Sequence, residues 1–334
     1  MRYLLSLKFV HAALAAALMF SHGSDGWAAN PPVTALTFSA DGQTLVAATQ
    51  KGLASYNWPD LQVDRRVSFT TSSDSALSRI DHIHDIKFAP SGKLLAIAGG
   101  SPSESGSVIT LSWPELNRLD EHEIHSDSIM SIRWRNSEQI ATAGMDHAIF
   151  LSDLQNAETR LSLEGHSKGV TSICFLMNGG LVVSGALDHS IRVWETNSGQ
   201  LLRSLSHHTG PINDIAKHPS HQPSPMIASA SSDQTVRFWQ PSIGRMVRFC
   251  RLSAEPIVID WIPNGEALAV GCVDGSLHLI NPDTAKIIKT VRTNLGWIFS
   301  MAIHPNDGSV ALGGSNGMIQ REQLDHPSQK SIVP

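Results

Sequence analysis

The chain repeats one unit about every 40–45 residues, and the clearest copy is LEGHSKGVTSICFLMNGGLVVSGALDHSIRVWETNSGQLL at 163–202. Short runs of near-alternating apolar and β-branched residues, typical of strands, lie within it at 170–175, 181–184 and 190–194. Turn-forming residues separate the runs at 178–180 and 187–189. One such unit cannot bury both faces of its sheet, so copies must stack against one another.

Seven copies of the unit can be counted along the chain. The aromatic or apolar residue that ends the first strand of each copy recurs at Phe38, Phe88, Trp134, Phe175, Lys217, Trp261 and Ile303. Lys217 is the polar exception, although its surroundings fit the pattern. A repeat of this period and number predicts an all-β ring of stacked sheets.

The 163–202 unit opens with Gly165-His166, carries Asp188 in a tight turn and ends its third strand at Trp194, which Glu195 follows. In these features it resembles the WD-repeat (WD40) family, where the last pair is Trp-Asp. The resemblance implies a seven-bladed WD40-type β-propeller with four antiparallel strands per blade, filling residues 30–334 as one domain. It is specific in the middle of the chain and weak at both ends.

The family resemblance also implies a hydrogen-bond network inside each well-conserved blade. The residues that match it are His166, Ser184, Asp188 and Trp194 in blade 4; His208, Ser229, Asp233 and Trp239 in blade 5; and His125, Thr142 and Asp146 in blade 3. Ser, His and Asp together are also typical of hydrolases. Two copies at closely matched spacing favour a structural role, and no catalytic residue is predicted. Blade 6 keeps only Asp274.

Residues 1–29 differ from the rest of the chain. Arg2 and Lys8 precede an apolar run at 9–20, and small residues follow it, which is the pattern of a secretory signal peptide. We expect cleavage near Ala28 or Ala29 and a periplasmic or secreted protein, with an uncleaved anchor as the alternative. The run is short for a bilayer span.

Composition and motifs exclude several classes of function. A net charge of −5 without a run of Lys or Arg gives no footprint for nucleic acid or anionic membranes. The three cysteines match no zinc spacing and are expected to be buried, inert thiols. His82 and His84 could share a strand face, but no third ligand can be named, so we predict solvated histidines, no metal and no cofactor. Phosphate-binding and dinucleotide motifs are absent from the sequence.

The sequence therefore predicts a non-enzymatic scaffold, a monomer or a component of a complex, that binds a protein or peptide. The alternative is an enzyme, small-ligand or metal-binding protein that uses the central channel. Two lengthened loops, at 70–79 and 99–106, flank blade 2 and place binding toward blades 1 to 3. The family resemblance implies that partners bind across the face that carries the His loops and the Asp turns. The residues expected to line this face lie just before a first strand or a turn Asp: His82, Ser128, Met145, Lys168, Leu187, Ser232, Val273 and Trp297.

The closure of the ring has two candidate solutions. The outer strand of blade 7 could come from residues 330–333 or from residues just after the signal peptide. The sequence does not choose between them.

Overall fold

The computed structural model describes residues 30–50, 52–68, 80–154, 160–220 and 225–324. It contains seven antiparallel sheets, each a meander of consecutive strands, and within these ranges the only helical elements are two short 3-10 turns. Six sheets have four strands and the seventh has three described ones. The predicted all-β, seven-bladed propeller is confirmed.

The first four blades are built from sixteen strands. Blade 1 has β1 (Ala35–Phe38), β2 (Thr44–Thr49), β3 (Gly52–Asn57) and β4 (Gln62–Ser68). Blade 2 has β5 (His82–Phe88), β6 (Leu94–Ser101), β7 (Ser105–Ser112) and β8 (Arg118–His125). Blade 3 has β9 (Ile129–Trp134), β10 (Gln139–Gly144), β11 (Ile149–Asp153) and β12 (Arg160–Leu163). Blade 4 has β13 (Val170–Leu176), β14 (Leu181–Ala186), β15 (Ile191–Glu195) and β16 (Leu201–Leu205).

The last three blades contribute eleven described strands. Blade 5 has β17 (Ile212–Lys217), β18 (Ile227–Ser231), β19 (Thr235–Gln240) and β20 (Arg245–Arg251). Blade 6 has β21 (Pro256–Trp261), β22 (Leu268–Cys272), β23 (Ser276–Asn281) and β24 (Lys286–Arg292). Blade 7 has β25 (Ile298–Ile303), β26 (Val310–Gly314) and β27 (Ile319–Glu322). The 3-10 turns cover Met177–Gly179 and Pro241–Ile243.

The second strand of most blades is buried along its whole length, as in β14, β18, β22 and β26. Neighbouring blades cover both of its faces, so these strands are continuous runs of small and apolar residues. The outer strands behave differently, and four of the five residues of β16 are exposed. This gradient places the core between the blades, around the inner and middle strands.

The ring closes where blade 7 meets blade 1. The Ser300 hydroxyl donates to the carbonyl oxygen of Val33 at 2.7 Å, and the backbone N–H of Val33 donates to the carbonyl of Gly314 at 3.1 Å. Of the two predicted sources of a fourth strand in blade 7, residues 330–333 lie outside the described residues, as do the signal segment 1–29 and the loop at 70–79. Residues 30–34, just after the signal segment, are described and form no strand of the blade 7 sheet.

The lengthened loop predicted at 99–106 is wrong. Strand β6 continues to Ser101 and β7 begins at Ser105, so a three-residue turn joins two long strands. The glycines that suggested a loop serve close packing instead. A Cβ at Gly99 would lie 2.0 Å from the carbonyl oxygen of His82, and one at Gly106 would lie 2.3 Å from that of Asp127.

Side chains from the inner strands tie successive blades together around the channel. In blades 2 to 5, one position of the first strand accepts a hydrogen bond from a backbone N–H of the next blade. This position lies three residues before the residue that marks the end of the first strand. The pairs are Asp85 with Ile132 (3.1 Å), Ser131 with Ile173 (3.4 Å), Ser172 with Ile215 (3.2 Å) and Asp214 with Ile259 (3.0 Å). This inner belt links five consecutive blades.

Basic side chains form an outer belt that also links neighbouring blades, at the rim of the ring. In four blades, a cation on the outer strand donates to backbone carbonyls beyond the third strand of the next blade. The pairs are Arg65 with Pro114 and Glu115, Arg203 with Ser242, Arg248 with Pro282 and Asp283, and Lys289 with Gln323. These contacts orient the turns on the face opposite to the one that carries the Asp turns.

Candidate functional site

The side chains matched to the family network in blade 4 lie in hydrogen-bond contact. His166 Nδ1 lies 2.9 Å from Asp188 Oδ2, and its Nε2 lies 2.8 Å from Ser184 Oγ. The indole Nε1 of Trp194 donates to the same Ser184 oxygen at 2.9 Å. Because the carboxylate only accepts, the geometry assigns the proton of neutral His166 to Nδ1, and Ser184 donates to Nε2.

Blade 5 contains the same arrangement. His208 lies 2.8 Å from Asp233 and 2.7 Å from Ser229, and Trp239 donates to Ser229 at 2.8 Å. In blade 3, His125 contacts Asp146 and Thr142, each at 2.9 Å. No indole joins the blade 3 network, and the ring of Phe150 packs against His125 with centroids 4.8 Å apart.

The geometry of these sets does not suit hydrolysis. Ser184 and Ser229 are fully buried, and each hydroxyl already serves a histidine and an indole. Asp188 also accepts hydrogen bonds from the backbone of Ser167 and Ser190, so it joins the loop before the first strand to the turn after the second. Burial alone would raise the pKa of Asp188, but bonds from His166 and Ser190 outweigh it and hold the pKa well below its usual range.

Blade 6 has a different network that sequence reasoning missed. Asp274 accepts from Arg292 at 2.6 Å and from the hydroxyl of Ser276, while His278 lies 3.1 Å from Ser276 and 2.8 Å from Thr290. The histidine is on the third strand, four residues after the Asp, rather than in the loop before the first strand. The family pattern does not mark this position.

We call the face that carries Asp146, Asp188, Asp233 and Asp274 the Asp-turn face. The structure places seven of the eight expected binding residues partly or fully exposed there: His82, Met145, Lys168, Leu187, Ser232, Val273 and Trp297. Ser128 is only 1% exposed, and its carbonyl accepts from Met145, so this residue lies beneath the surface.

A central cavity of about 660 Å³ opens among the inner strands. His82, Val273 and Trp297 are in its wall. Each blade also contributes a partly buried side chain from the same position, four residues before the residue that marks the end of its first strand. We call these seven the channel ring: Thr34, His84, Met130, Thr171, Asn213, Ile257 and Phe299. In six blades the strand register skips this residue at a bulge. A bulge re-aims a side chain, which explains why strict alternation did not predict the ring.

The charges in the cavity wall are unevenly paired. Among the described residues, Asp85 is the only carboxylate of the wall that forms ion pairs, with Lys87 at 3.5 Å and Arg133 at 2.5 Å. Burial raises the pKa of Asp214 to about 6, against hydrogen bonds and the charge of Arg133. Burial also raises the pKa of Asp260, despite Lys87 at longer range.

A third unpaired carboxylate, Glu255, lies near the Asp-turn face of the cavity. It accepts from the side-chain amide of Asn213 at 3.0 Å and from the hydroxyl of Ser232. Its backbone carbonyl also accepts from Val273 in the neighbouring turn. These contacts fix the carboxylate in place.

Among the described residues, the remaining histidines and cysteines form no metal-ligating cluster. No three metal-ligating side chains cluster within the part of the chain that the structure describes. His84 is not solvated as expected, because its Nε2 is buried without a partner and burial lowers its pKa to about 4. Cys174, Cys250 and Cys272 are buried, and desolvation raises the pKa of Cys174 and Cys272 to about 12.

Two family profiles match the middle and later blades. The profile described as "WD domain, G-beta repeat" matches residues 157–195 and 199–240. The one described as "Anaphase-promoting complex subunit 4 WD40 domain" matches 226–306. The chain therefore contains WD40 repeats between residues 157 and 306. The first profile falls on blades 4 and 5, which carry the full networks, and the second extends across blade 6 to the first strand of blade 7.

Several curated proteins are similar to this WD40 chain. A p21-activated protein kinase-interacting protein 1-like of Gallus gallus is 28% identical over 211 residues, covering 63% of this chain and 54% of that protein. THO complex subunit 3 of Arabidopsis thaliana is 32% identical over 122 residues, 35% of this chain and 38% of that one. The Ribosome biogenesis protein WDR12 homolog of Nematostella vectensis is 33% identical over 118 residues, which cover 34% of this chain and 28% of that protein. The WD40 chain thus spans about half or less of these relatives. Over its described ranges, no helix has the length and apolarity to cross a bilayer.

Proposed function

We propose that the protein is an exported, non-enzymatic WD40 scaffold that binds a protein or peptide through the Asp-turn face. One observation carries this proposal. Trp297, Leu187 and Met145 are partly exposed on one face. Met145 of blade 3 packs against Gly169 of blade 4, whose carbonyl accepts from the backbone N–H of Leu187, so the turns of Met145 and Leu187 adjoin. Partly exposed aromatic and apolar side chains on a rigid face are typical of partner-binding surfaces.

The rigidity of this face supports the proposal. Each buried network fixes the loop before a first strand against the turn that carries the Asp, as the bonds from Ser126, Ser167 and Thr209 to the turn carboxylates illustrate. A preorganised surface loses little entropy on binding. Lys168 adds an exposed charge beside Leu187.

The relatives support the general class of function. Their names describe an interacting protein, a complex subunit and a ribosome biogenesis protein. Because the chain covers only part of each relative, their partners are not transferred to it.

The export component of the proposal rests on residues 1–29 alone. Their charged start, apolar run and small-residue end are the pattern of a signal peptide.

A second candidate function, binding of a small ligand in the channel, is favoured by the cavity of about 660 Å³ and its unpaired carboxylates. It is compatible with a scaffold, because the cavity opens beside Trp297 and Val273 of the same face.

The test is affinity capture from the native envelope fraction with wild type and the triple variant Trp297→Ala, Leu187→Ala, Lys168→Glu. A matched control triple, Met177→Ala, Ile243→Ala, Lys286→Glu, changes exposed residues near the opposite face. We expect a partner that is retained by wild type and by the control and lost from the folded Asp-turn variant. Equal capture of the partner by all three proteins would show that the partner does not bind through the Asp-turn face.

A further inference from the structure

We propose that the part of the central cavity nearest the Asp-turn face binds an organic cation, an ammonium or guanidinium group on an apolar stem. We call this part the upper chamber; Glu255, Val273, Trp297 and the channel ring line it. The inference deepens the proposed function, because a basic side chain of a bound partner is one source of such a cation. A free polyamine is the other source.

The first observation is an excess of carboxylates that form no ion pair. The cavity wall contains four carboxylates, Asp85, Asp214, Glu255 and Asp260, and three cationic side chains, Lys87, Arg133 and Lys217. Of these cations, Lys87 and Arg133 both pair with Asp85. Glu255 stands apart from them and is oriented by Asn213 and Ser232. Its carboxylate is therefore a preorganised, uncompensated negative charge.

The second observation is that the upper chamber presents no positive charge of its own. His84, which occupies the channel ring in blade 2, is neutral near pH 7 because burial lowers its pKa to about 4. Asn213 is uncharged, and its amide already donates to Glu255 and to the carbonyl of Pro256. An incoming cation thus meets attraction without a competing charge.

The third observation is the apolar and aromatic wall beside Glu255. Trp297 and Phe299 lie together with ring centroids 5.7 Å apart, and Ile257 and Val273 complete the wall on blade 6. Aromatic faces attract ammonium and guanidinium groups, and the aliphatic residues suit the methylene stem that carries such a group.

Other ligand classes fit less well. An anion entering from the Asp-turn face would meet Glu255 first, and two of the three cations in the wall, Lys87 and Arg133, are already held by Asp85. A metal ion needs about three converging ligands. No such group exists among the residues whose positions are described.

The test uses isothermal titration calorimetry on the full folded chain with N-acetyl-arginine amide as the probe. N-acetyl-citrulline amide is the uncharged control of nearly the same shape. We expect the arginine probe to bind at least about tenfold more tightly than the citrulline probe. Equal affinity for the two probes, or no binding of the arginine probe, would overturn the inference. Spermidine is titrated in parallel, and tighter binding of spermidine would assign the chamber to a free polyamine rather than a partner side chain.

Two variants locate the site. Glu255→Gln keeps an acceptor for Asn213 and Ser232 but removes the charge, and we expect it to weaken arginine binding by about tenfold while the melting temperature stays close to wild type. Glu104→Gln is the matched control, because Glu104 is an exposed carboxylate at the tip of the β6–β7 hairpin, outside the cavity wall. Unchanged affinity of Glu255→Gln for the arginine probe would refute the upper chamber as the binding site. A partner captured equally by wild type and Glu255→Gln, but lost from the Asp-turn variant, would refute a partner side chain as the source of the cation and leave the scaffold proposal standing.

Discussion

The carboxylate of Asp214 in blade 5 accepts a hydrogen bond from the backbone N–H of Ile259 in blade 6, at 3.0 Å. The same side chain accepts from Ser172 of blade 4 at 2.8 Å, so one carboxyl group connects three blades. Blade 6 has Val258 at the equivalent position and blade 1 has Ala35, and neither can form such a bond. The inner belt is therefore continuous through blades 2 to 6 and interrupted on the side where the ring closes.

Stability should depend on the protonation of Asp214. Burial raises its folded-state pKa to about 6 from an ordinary value of 3.8, so the folded state binds more protons than the unfolded state between these values. Its contribution to stability is present below pH 3.8 and is lost as pH rises through about 6. We expect the free-energy gap between wild type and Asp214→Val to shrink from pH 5 to pH 7, measured by urea unfolding. The difference between the two proteins cancels the titration of histidines that both share, and a gap independent of pH would contradict the argument.

The buried networks should contribute unequally to stability. His166→Ala or Asp188→Ala leaves buried polar partners without hydrogen bonds, and we expect a loss of about 1–3 kcal/mol in the free energy of unfolding. Asp274→Ala should cost less, because the Asp274 side chain is 31% exposed and its partner Arg292 is 65% exposed. Equal shifts for Asp188→Ala and Asp274→Ala in denaturant unfolding would show that the two networks are equivalent.

Acid should unfold the middle blades first. Hydrogen bonds from histidine and hydroxyl groups hold the pKa of Asp188 and Asp233 well below 3.8 in the folded state, although burial opposes this. The unfolded state then binds more protons, so their stabilisation is complete above pH 3.8 and is lost as pH falls below it. We expect the stability of Asp188→Asn to fall less steeply than that of wild type between pH 5 and pH 3. Parallel slopes would mean that this carboxylate does not carry the acid sensitivity.

The export prediction concerns the mature N-terminus. We expect the chain purified from its native source to begin near Ala29 or Asn30 and to be found in the periplasm or outside the cell. Intact-mass measurement decides this directly, and a cytosolic protein that retains Met1 would rule the prediction out.

The repeat period and the turn residues predicted most of the fold. Six of the seven first strands end at the residue picked out by periodicity, and β13 continues one residue further, to Leu176. The side chains matched to the networks in blades 3, 4 and 5 could be named because fixed spacing along a meander brings the same positions together in every blade. The loop at 99–106 was misread because glycines that allow close packing have the same composition as glycines in a loop.

The channel ring and the blade 6 network could not be predicted from the sequence. A bulge changes which face a residue points to, and its formation depends on the neighbouring strand rather than on the residue itself. His278 belongs to a network whose donors come from the third and fourth strands, a pairing that local sequence spacing does not encode. Ser128 was expected at the surface because its position before a first strand was taken as exposed, whereas the turn of Met145 covers it.

In six blades, the bulged position of the inner strand separates two tasks that a sheet usually combines. The residues on either side of it hold the blades together, so they are constrained, while the bulged residue lines the channel. Thr171 and Asn213 also donate to carbonyl oxygens of the next blade, but the apolar Met130, Ile257 and Phe299 form no such bond and can change with less effect on the ring. The ligand preference of the channel can therefore change blade by blade, through single substitutions in the channel ring.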